Sequence, residues 1–453
     1  MRRRSLFGAV ALAAIGLAGV SAPAGAAPAL SLRATHYVAG QVGPPPTTAS
    51  CLKQVGIACY RPFQIQRAYD MPRLFRSGLN GRGRTIVLVD SFGSPTIRRD
   101  LAVFDRSFHL PAPPSLRIIQ PVGKVPPFSA KNPTRVGWAF ETTLDVEWAH
   151  VMAPGARILL VETPVAETEG VQGFPQIIRA ENYVINHGMG DVISQSFAAT
   201  EETFPSRQAL LGLRSAYFNA KRHHVTVLGA SGDWGSGGYK LCGCDFYRFP
   251  TTAWPATDPL VTAVGGTQLH LNAKGMRTAP DNVWNDIPIG IDAAGGGGFS
   301  HVFSRPAFQR GFRTGADNHR AIPDISMTAA VNGGALVYVG FLGAKDNGFY
   351  IIGGTSEATP IFAGVVAVAD QIAGHRLGWL NPRLYPLSRD QDGGIIDITR
   401  GNNTFTVFDQ HGKPLYTVPG YQARRGYDMA SGLGTVDGWQ FTHELSEHER
   451  RAG

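Results

Sequence analysis

The chain has 453 residues, 43% of them hydrophobic and 17% charged. That is enough apolar material for a large core and too little charge for a disordered chain. The formal charge of +8 falls to +5 once the three arginines at positions 2–4 are set aside, and the other arginines are scattered rather than grouped with aromatics, so the charge supports no nucleic-acid partner. The four cysteines show no zinc-like spacing.

At the N-terminus, Arg2, Arg3 and Arg4 precede an apolar run from Leu6 to Val20, and Ala24-Gly25-Ala26 follows. Residues 1–26 read as a secretory signal that is cleaved, since the run is short and dilute in Ala and Gly for a spanning helix. No later uncharged run reaches membrane length. The expected product is secreted, extracellular, and free of the membrane after cleavage. Residues 27–60 show little periodicity and contain Gly43-Pro44-Pro45-Pro46, which predicts a short extended lead-in. Four cysteines allow three pairings. In an exported chain Cys51–Cys59 is the expected bridge. Cys242 and Cys244 sit too close for an easy bridge, and their pairing stays open.

Beyond Tyr60, strands and helices alternate. Strands are expected at Arg84–Asp90, Ala156–Val161, Asp191–Ser194 and Val225–Leu228. Helices are expected at Thr96–Phe104, Gln176–His187 and Arg207–Lys221. Continuous apolar strands separated by helices predict an α/β fold with a mostly parallel central sheet and helices on both faces. The first strand runs into Ser91-Phe92-Gly93-Ser94, which is not a dinucleotide-binding glycine turn.

Three segments carry chemistry. In Phe140-Glu141-Thr142-Thr143-Leu144-Asp145, two acids stand four residues apart, hence on one helix face. Leu144, Val146, Trp148, Val151 and Met152 make that helix apolar, and Pro154-Gly155 stops it. A solvated helix would alternate acid with base, so the pair reads as functional. Asp233 sits in Gly-Ala-Ser-Gly-Asp-Trp-Gly, just past a buried strand, where open α/β sheets bind ligands. Ser356 lies in Gly353-Gly354-Thr355-Ser356, between the apolar run 349–352 and the helical run 361–369. A hydroxyl there meets the N–H groups of a helix start, which favour developing negative charge.

Together these segments resemble the sedolisins, serine-carboxyl peptidases of subtilisin-like fold in which a Glu replaces the catalytic His. The family pattern Glu-x-x-x-Asp, Gly-Asp-x-Gly and Gly-Thr-Ser-x-x-x-Pro is matched in order by Glu141, Asp145, Asp233 and Ser356. Further agreement comes from Ser194–Phe197 with Glu201, Pro255–Pro259, Val264–Thr267, Gly296–Ser300 and Pro323–Ser326. The resemblance runs from about 61 to 439, placing a peptidase domain at 61–445 and a charged tail at 446–453. It implies a serine-type endopeptidase acting in acid on protein or peptide substrates, expected as a monomer. Ser356 would be the nucleophile, Glu141 its base, Asp145 the residue orienting that base, and Asp233 the protonated oxyanion donor.

Sedolisins carry a long folded propeptide. Here the match starts at Tyr60-Arg61-Pro62, so the resemblance implies a separate assisting chain or a branch without one. It also implies one structural calcium ion held by the side chains of Asp397 and Asp428 and the carbonyls of Ile398, Arg424 and Gly426, oxygen ligands that suit a hard cation. Arg424 replaces the family's usual Gly. The extra length between the two Asp is expected to form a hairpin from Thr404–Phe408 and Leu415–Val418.

Three other readings compete. A His-based subtilisin triad lacks its histidine motif, and none of the 13 His has that context. A lipase needs Gly-x-Ser-x-Gly, and Ala358 stands where the second Gly belongs. The alternative from another class is a non-catalytic secreted binding protein on the same scaffold.

Overall fold

The computed structural model describes residues 36–43 and 45–452. The expected signal, residues 1–26, lies outside them. The strand Thr85–Ser91 is buried at every position. Its Ile, Val and Leu run suits a strand covered on both faces. It lies in a sheet of order Asn282–Val283, Thr262–Gln268, Thr226–Ala230, Val192–Gln195, Thr85–Ser91, Arg157–Thr163, Leu116–Ile119, with Ile325–Thr328 added beside Thr262–Gln268. Every pairing is parallel except that of Asn282–Val283. The register sets Asp90 beside Glu162 and Ser91 beside Thr163 at the carboxyl ends of two neighbouring strands. Ligands of open α/β sheets gather at that edge.

A second sheet holds Tyr37–Gln41, Gly348–Gly353, Gly334–Val339 and Cys59–Tyr60 in that order. The helix Pro133–Met152, here the acid helix, is tied to it by a hydrogen bond from Trp148 Nε1 to the Leu336 carbonyl (3.1 Å). The acid helix starts cleanly: Asn132 caps it by accepting from the Arg135 N–H, and Pro133 fills the first turn. It is buried on all sides from Trp138 to Met152. The helix Thr355–Ala373 crosses it closely. A Cβ on Gly364 would lie 2.4 Å from the Cβ of Met152, so the approach requires glycine.

The expected strands and helices are present with ends shifted by a few residues, apart from three differences. The helix over 207–221 is two, Arg207–Leu211 and Ser215–Arg222, broken around Gly212, a weak helix former. The lead-in is not simply extended. Tyr37–Gln41 is a strand, and Thr48–Val55 is a helix closed by a Thr47/Ser50 capping box. Elements this short carry little periodicity. The expected charged tail is not separate from what precedes it, because the helix Gly438–Ala452 continues into it. Ser446 Oγ in that helix is buried and donates to the Ala369 carbonyl.

Cys51 and Cys59 are bridged as expected, and Cys242–Cys244 is bridged as well, with a Cα separation of 5.1 Å. Gly243 between them has φ of +60°, a left-handed turn that makes the short loop possible. The inserted hairpin forms as expected, from Phe405–Phe408 and Pro414–Val418.

Candidate active site

Ser356 is the second residue of the helix Thr355–Ala373, directly after the fully buried strand Gly348–Gly353. Gly354 makes the turn between them at φ +138°, a conformation open to glycine. Its N–H is tied to the Ala329 carbonyl at 2.7 Å. The hydroxyl therefore sits at a rigid strand-to-helix junction, fully buried, beside the orphan N–H groups of a helix start.

Asp233 reaches the same junction from the loop after Thr226–Ala230. Its Oδ1 accepts from the Thr355 N–H (2.7 Å) and from Thr355 Oγ1 (2.8 Å). Its Oδ2 is buried with no hydrogen-bond partner among the described residues. Burial holds this carboxyl well above the usual range, against the lowering effect of Thr355; the Glu141 charge adds to the rise.

Glu141 and Asp145 are both fully buried on the acid helix. Asp145 Oδ1 accepts from Ser196 Oγ at 2.9 Å, just beyond the strand Val192–Gln195. Asp90, from the end of the first sheet strand, is set against Asp145. Burial, then the neighbouring acids, push both carboxyls well upward. Two carboxyls can pack this way only with a proton to share. The four acids and the nucleophile thus come from four separate elements, Glu141 and Asp145 sharing one.

Residues 134–383 match the model of the Subtilase family, Peptidase_S8. The chain is a sedolisin-type member of the subtilase family. It is 30% identical to kumamolisin of Bacillus sp. (strain MN-32) over 392 residues, 85% of this chain and 63% of that protein. It is 29% identical to sedolisin of Pseudomonas sp. (strain 101) over 279 residues, 59% of this chain and 43% of that one. The solved structure of Pseudomonas sedolisin complexed with two molecules of pseudo-iodotyrostatin superposes with a TM-score of 0.70 at 26% identity, covering 88% of this chain and 99% of that one. The chain spans less than two thirds of the length of these two curated relatives.

Several groups of this sedolisin-type site went unread in the sequence. His36 places Nδ1 2.5 Å from Glu141 Oε2. It is held there because Tyr37–Gln41 pairs with the strand leading to the nucleophile, Tyr37 opposite Gly353. No motif marks a histidine 105 residues away from its partner. Asp90 did carry a signal, as an acid at the carboxyl end of a buried strand. Glu357, directly after Ser356, is fully buried and raised well above the carboxylate range by burial. His150 shares the acid helix, but its Nε2 is engaged by the Pro111 carbonyl (2.8 Å) and Asp105.

Among the described residues, no group of three or more His, Cys, Asp or Glu converges as a metal site. The expected calcium set has only two carboxylates, and both are hydrogen-bonded to the 424–426 segment. Asp397 Oδ2 accepts from the Gly426 N–H (2.8 Å), and Asp428 Oδ2 accepts from the Arg424 N–H (2.9 Å). Among the described residues, no hydrogen bond ends on the carbonyls of Ile398, Arg424 or Gly426. Burial raises both carboxyls. This oxygen-only donor set, with carbonyls to spare, fits a hard cation.

Proposed function

We propose that this chain is an exported serine-carboxyl endopeptidase that works in acid on protein or peptide substrates, as a monomer. The observation carrying this is the hydrogen bonding of Asp233 at the start of the nucleophile helix. Oδ1 is spent on Thr355, so a proton on the carboxyl belongs on Oδ2, the oxygen without a partner. A buried neutral carboxyl beside a serine is an oxyanion donor ready for use.

In this reading Ser356 Oγ attacks the peptide carbonyl and passes its proton to Glu141. Asp233 Oδ2–H and the Ser356 N–H donate to the oxyanion. As the tetrahedral species collapses, Glu141 returns the proton to the departing amine, leaving an acyl-enzyme on Ser356. Water repeats the sequence with Glu141 as base and frees the acid product. Asp145, held by Ser196 and set against Asp90, orients Glu141. A single calcium ion on Asp397, Asp428 and the carbonyls of Ile398, Arg424 and Gly426 would supply rigidity to the C-terminal loops.

Digestion of a denatured protein at about pH 3–5, with and without Ser356→Ala and read by mass spectrometry, tests the reading. Internal cleavage that vanishes in the variant is expected. Absence of cleavage by the folded parent, with no covalent capture of a peptide aldehyde, would favour the binding-protein alternative.

A further inference from the structure

The two disulfides sit in opposite surroundings. Cys51 and Cys59 are fully buried in the core. The other bridge spans a single residue, Gly243, and lies at the surface, with Cys244 exposed and Cys242 half-buried. Leu241, next to it in the chain, is 61% exposed. The turn that carries this bridge closes without it. Tyr239 and Phe246 form an antiparallel bridge, their rings stacked with centroids 4.2 Å apart. Between them the Lys240 N–H donates to the Asp245 carbonyl (2.8 Å) and the Gly243 N–H to the Lys240 carbonyl (2.7 Å). Lys240 Nζ also pairs with Asp245 Oδ2 at 2.5 Å.

A cross-link stabilises a fold by restricting the unfolded chain, and the gain grows with the loop it closes. A loop of one intervening residue, in a turn already held by its own bonds, gains little from a bridge. The ring is also tight: it holds two peptide bonds, both trans, and planar peptides resist so short a closure. Exposed bridges of this kind give up their S–S bond more readily than buried structural ones. The two sulfurs are not equivalent. The Cys244 N–H donates to Cys242 Sγ at 3.2 Å, which favours Cys242 as a thiolate, and Cys244 is the more exposed residue.

We propose that Cys242–Cys244 is a thiol–disulfide exchange site that takes two electrons from the paired cysteine thiols of a polypeptide. Leu241 offers apolar surface to the incoming chain. A thiolate of that chain attacks Cys244 Sγ. A bond forms between those two sulfurs as the Cys242–Cys244 bond breaks. The electron pair leaves on Cys242 Sγ, which is held by the Cys244 N–H and takes a proton from water. The second thiolate of the polypeptide then attacks the polypeptide sulfur of the mixed disulfide, and Cys244 leaves and is protonated in turn. The polypeptide is oxidised to a disulfide and the site is reduced to a dithiol, two electrons and two protons having passed between them. The step needs a thiolate, so it belongs to a higher pH than the proposed peptide cleavage. It uses no group of the peptidase site and does not rest on that reading.

Two measurements test this. In the first, the unmodified protein is equilibrated at about pH 8 with mixtures of reduced and oxidised glutathione, trapped with N-ethylmaleimide and read by mass spectrometry. Cys242 and Cys244 are expected to appear as thiols at a reduced-to-oxidised ratio at least ~10-fold below any that opens Cys51–Cys59, with the chain still folded. In the second, one equivalent of Ser356→Ala protein, which leaves peptide uncut, meets a reduced two-cysteine peptide without oxygen. The peptide disulfide should form at least ~10-fold faster than with Ser356→Ala that also carries Cys242→Ser and Cys244→Ser. A surface bridge that stays closed wherever Cys51–Cys59 does overturns the proposal, and so do equal rates of peptide oxidation. Neither readout involves peptide cleavage, so failure of the peptidase reading is seen separately.

Discussion

His36 Nδ1 lies 2.5 Å from Glu141 Oε2, at the end of a strand paired onto the segment that carries the nucleophile. The Glu141 oxygen so engaged is not available to take the Ser356 proton. Replacing His36 by Ala in the full chain should therefore raise kcat/KM, by ~10-fold if this contact holds back the base. The check is a side-by-side assay of parent and variant on one peptide, with equal melting temperatures showing that the strand has not detached. Equal rates would show that Glu141 works through its other oxygen.

The four proposed catalytic positions should differ in their response to substitution. Ser356→Ala should leave the fold intact and remove all measurable cleavage. Glu141→Gln should cost ~10²–10⁴ in kcat, the worth of a general base. Asp145→Asn should cost less, because the amide can still bond Ser196 while orienting Glu141 poorly. Asp233→Ala should lose ~10²–10³. Asp233→Asn should retain more, since its carbonyl can keep the Thr355 bonds while its NH2 donates to the oxyanion. Steady-state kinetics on each folded variant decides the order. A Glu141→Gln enzyme as fast as the parent would remove Glu141 from the mechanism.

Why the sequence revealed Ser356, Glu141, Asp145 and Asp233 but not His36 or the pairing of Asp90 has a physical basis. The first four sit in local patterns: a strand-to-helix junction, an i,i+4 acid pair, a glycine loop after a strand. The parallel sheet was legible for the same reason, since each of its strands is a continuous apolar run. His36 acquires meaning only through pairing with Gly348–Gly353, hundreds of residues later in the chain. Asp90 needs the register that brings the strand end beneath the acid helix. The 36–60 segment was misjudged because its helix and strands are too short to show a period, and their order comes from the Cys51–Cys59 bridge and the sheet edge.

If the proposed calcium ion is bound, its removal should destabilise the chain without abolishing the active-site arrangement. Asp397 and Asp428 both bind the 424–426 loop, and a cation on the same oxygens would add to that hold. Melting in the presence of a chelator is expected to fall by ~5 °C and to recover on adding calcium back. Asp397→Asn should lower the melting temperature in calcium and remove most of the chelator's effect. An unchanged melting temperature in a preparation shown to be metal-free would discard the site.

Stability and activity should both decline as pH rises. Burial raises Glu181 and Asp370 to about 8 and Glu201 to about 7, whereas an unfolded carboxyl titrates near ~4. Between those values the folded chain holds protons that the unfolded chain has released. Unfolding free energy therefore falls with pH, by up to ~1.4 kcal/mol per pH unit for each group inside its window. The contribution is complete below about pH 4 and is lost as pH passes through about 7 to 8. Asp233 has the same sign, and its protonated form is also the oxyanion donor. Activity should thus fall on the alkaline side while much of the protein is still folded. Asp233→Asn, whose donor does not titrate, should move that limb upward. Urea midpoints and kcat/KM measured across the same pH series separate the two effects. A midpoint that climbs from pH 4 to 8 would contradict the linkage. An alkaline limb unmoved in Asp233→Asn would assign it to another group.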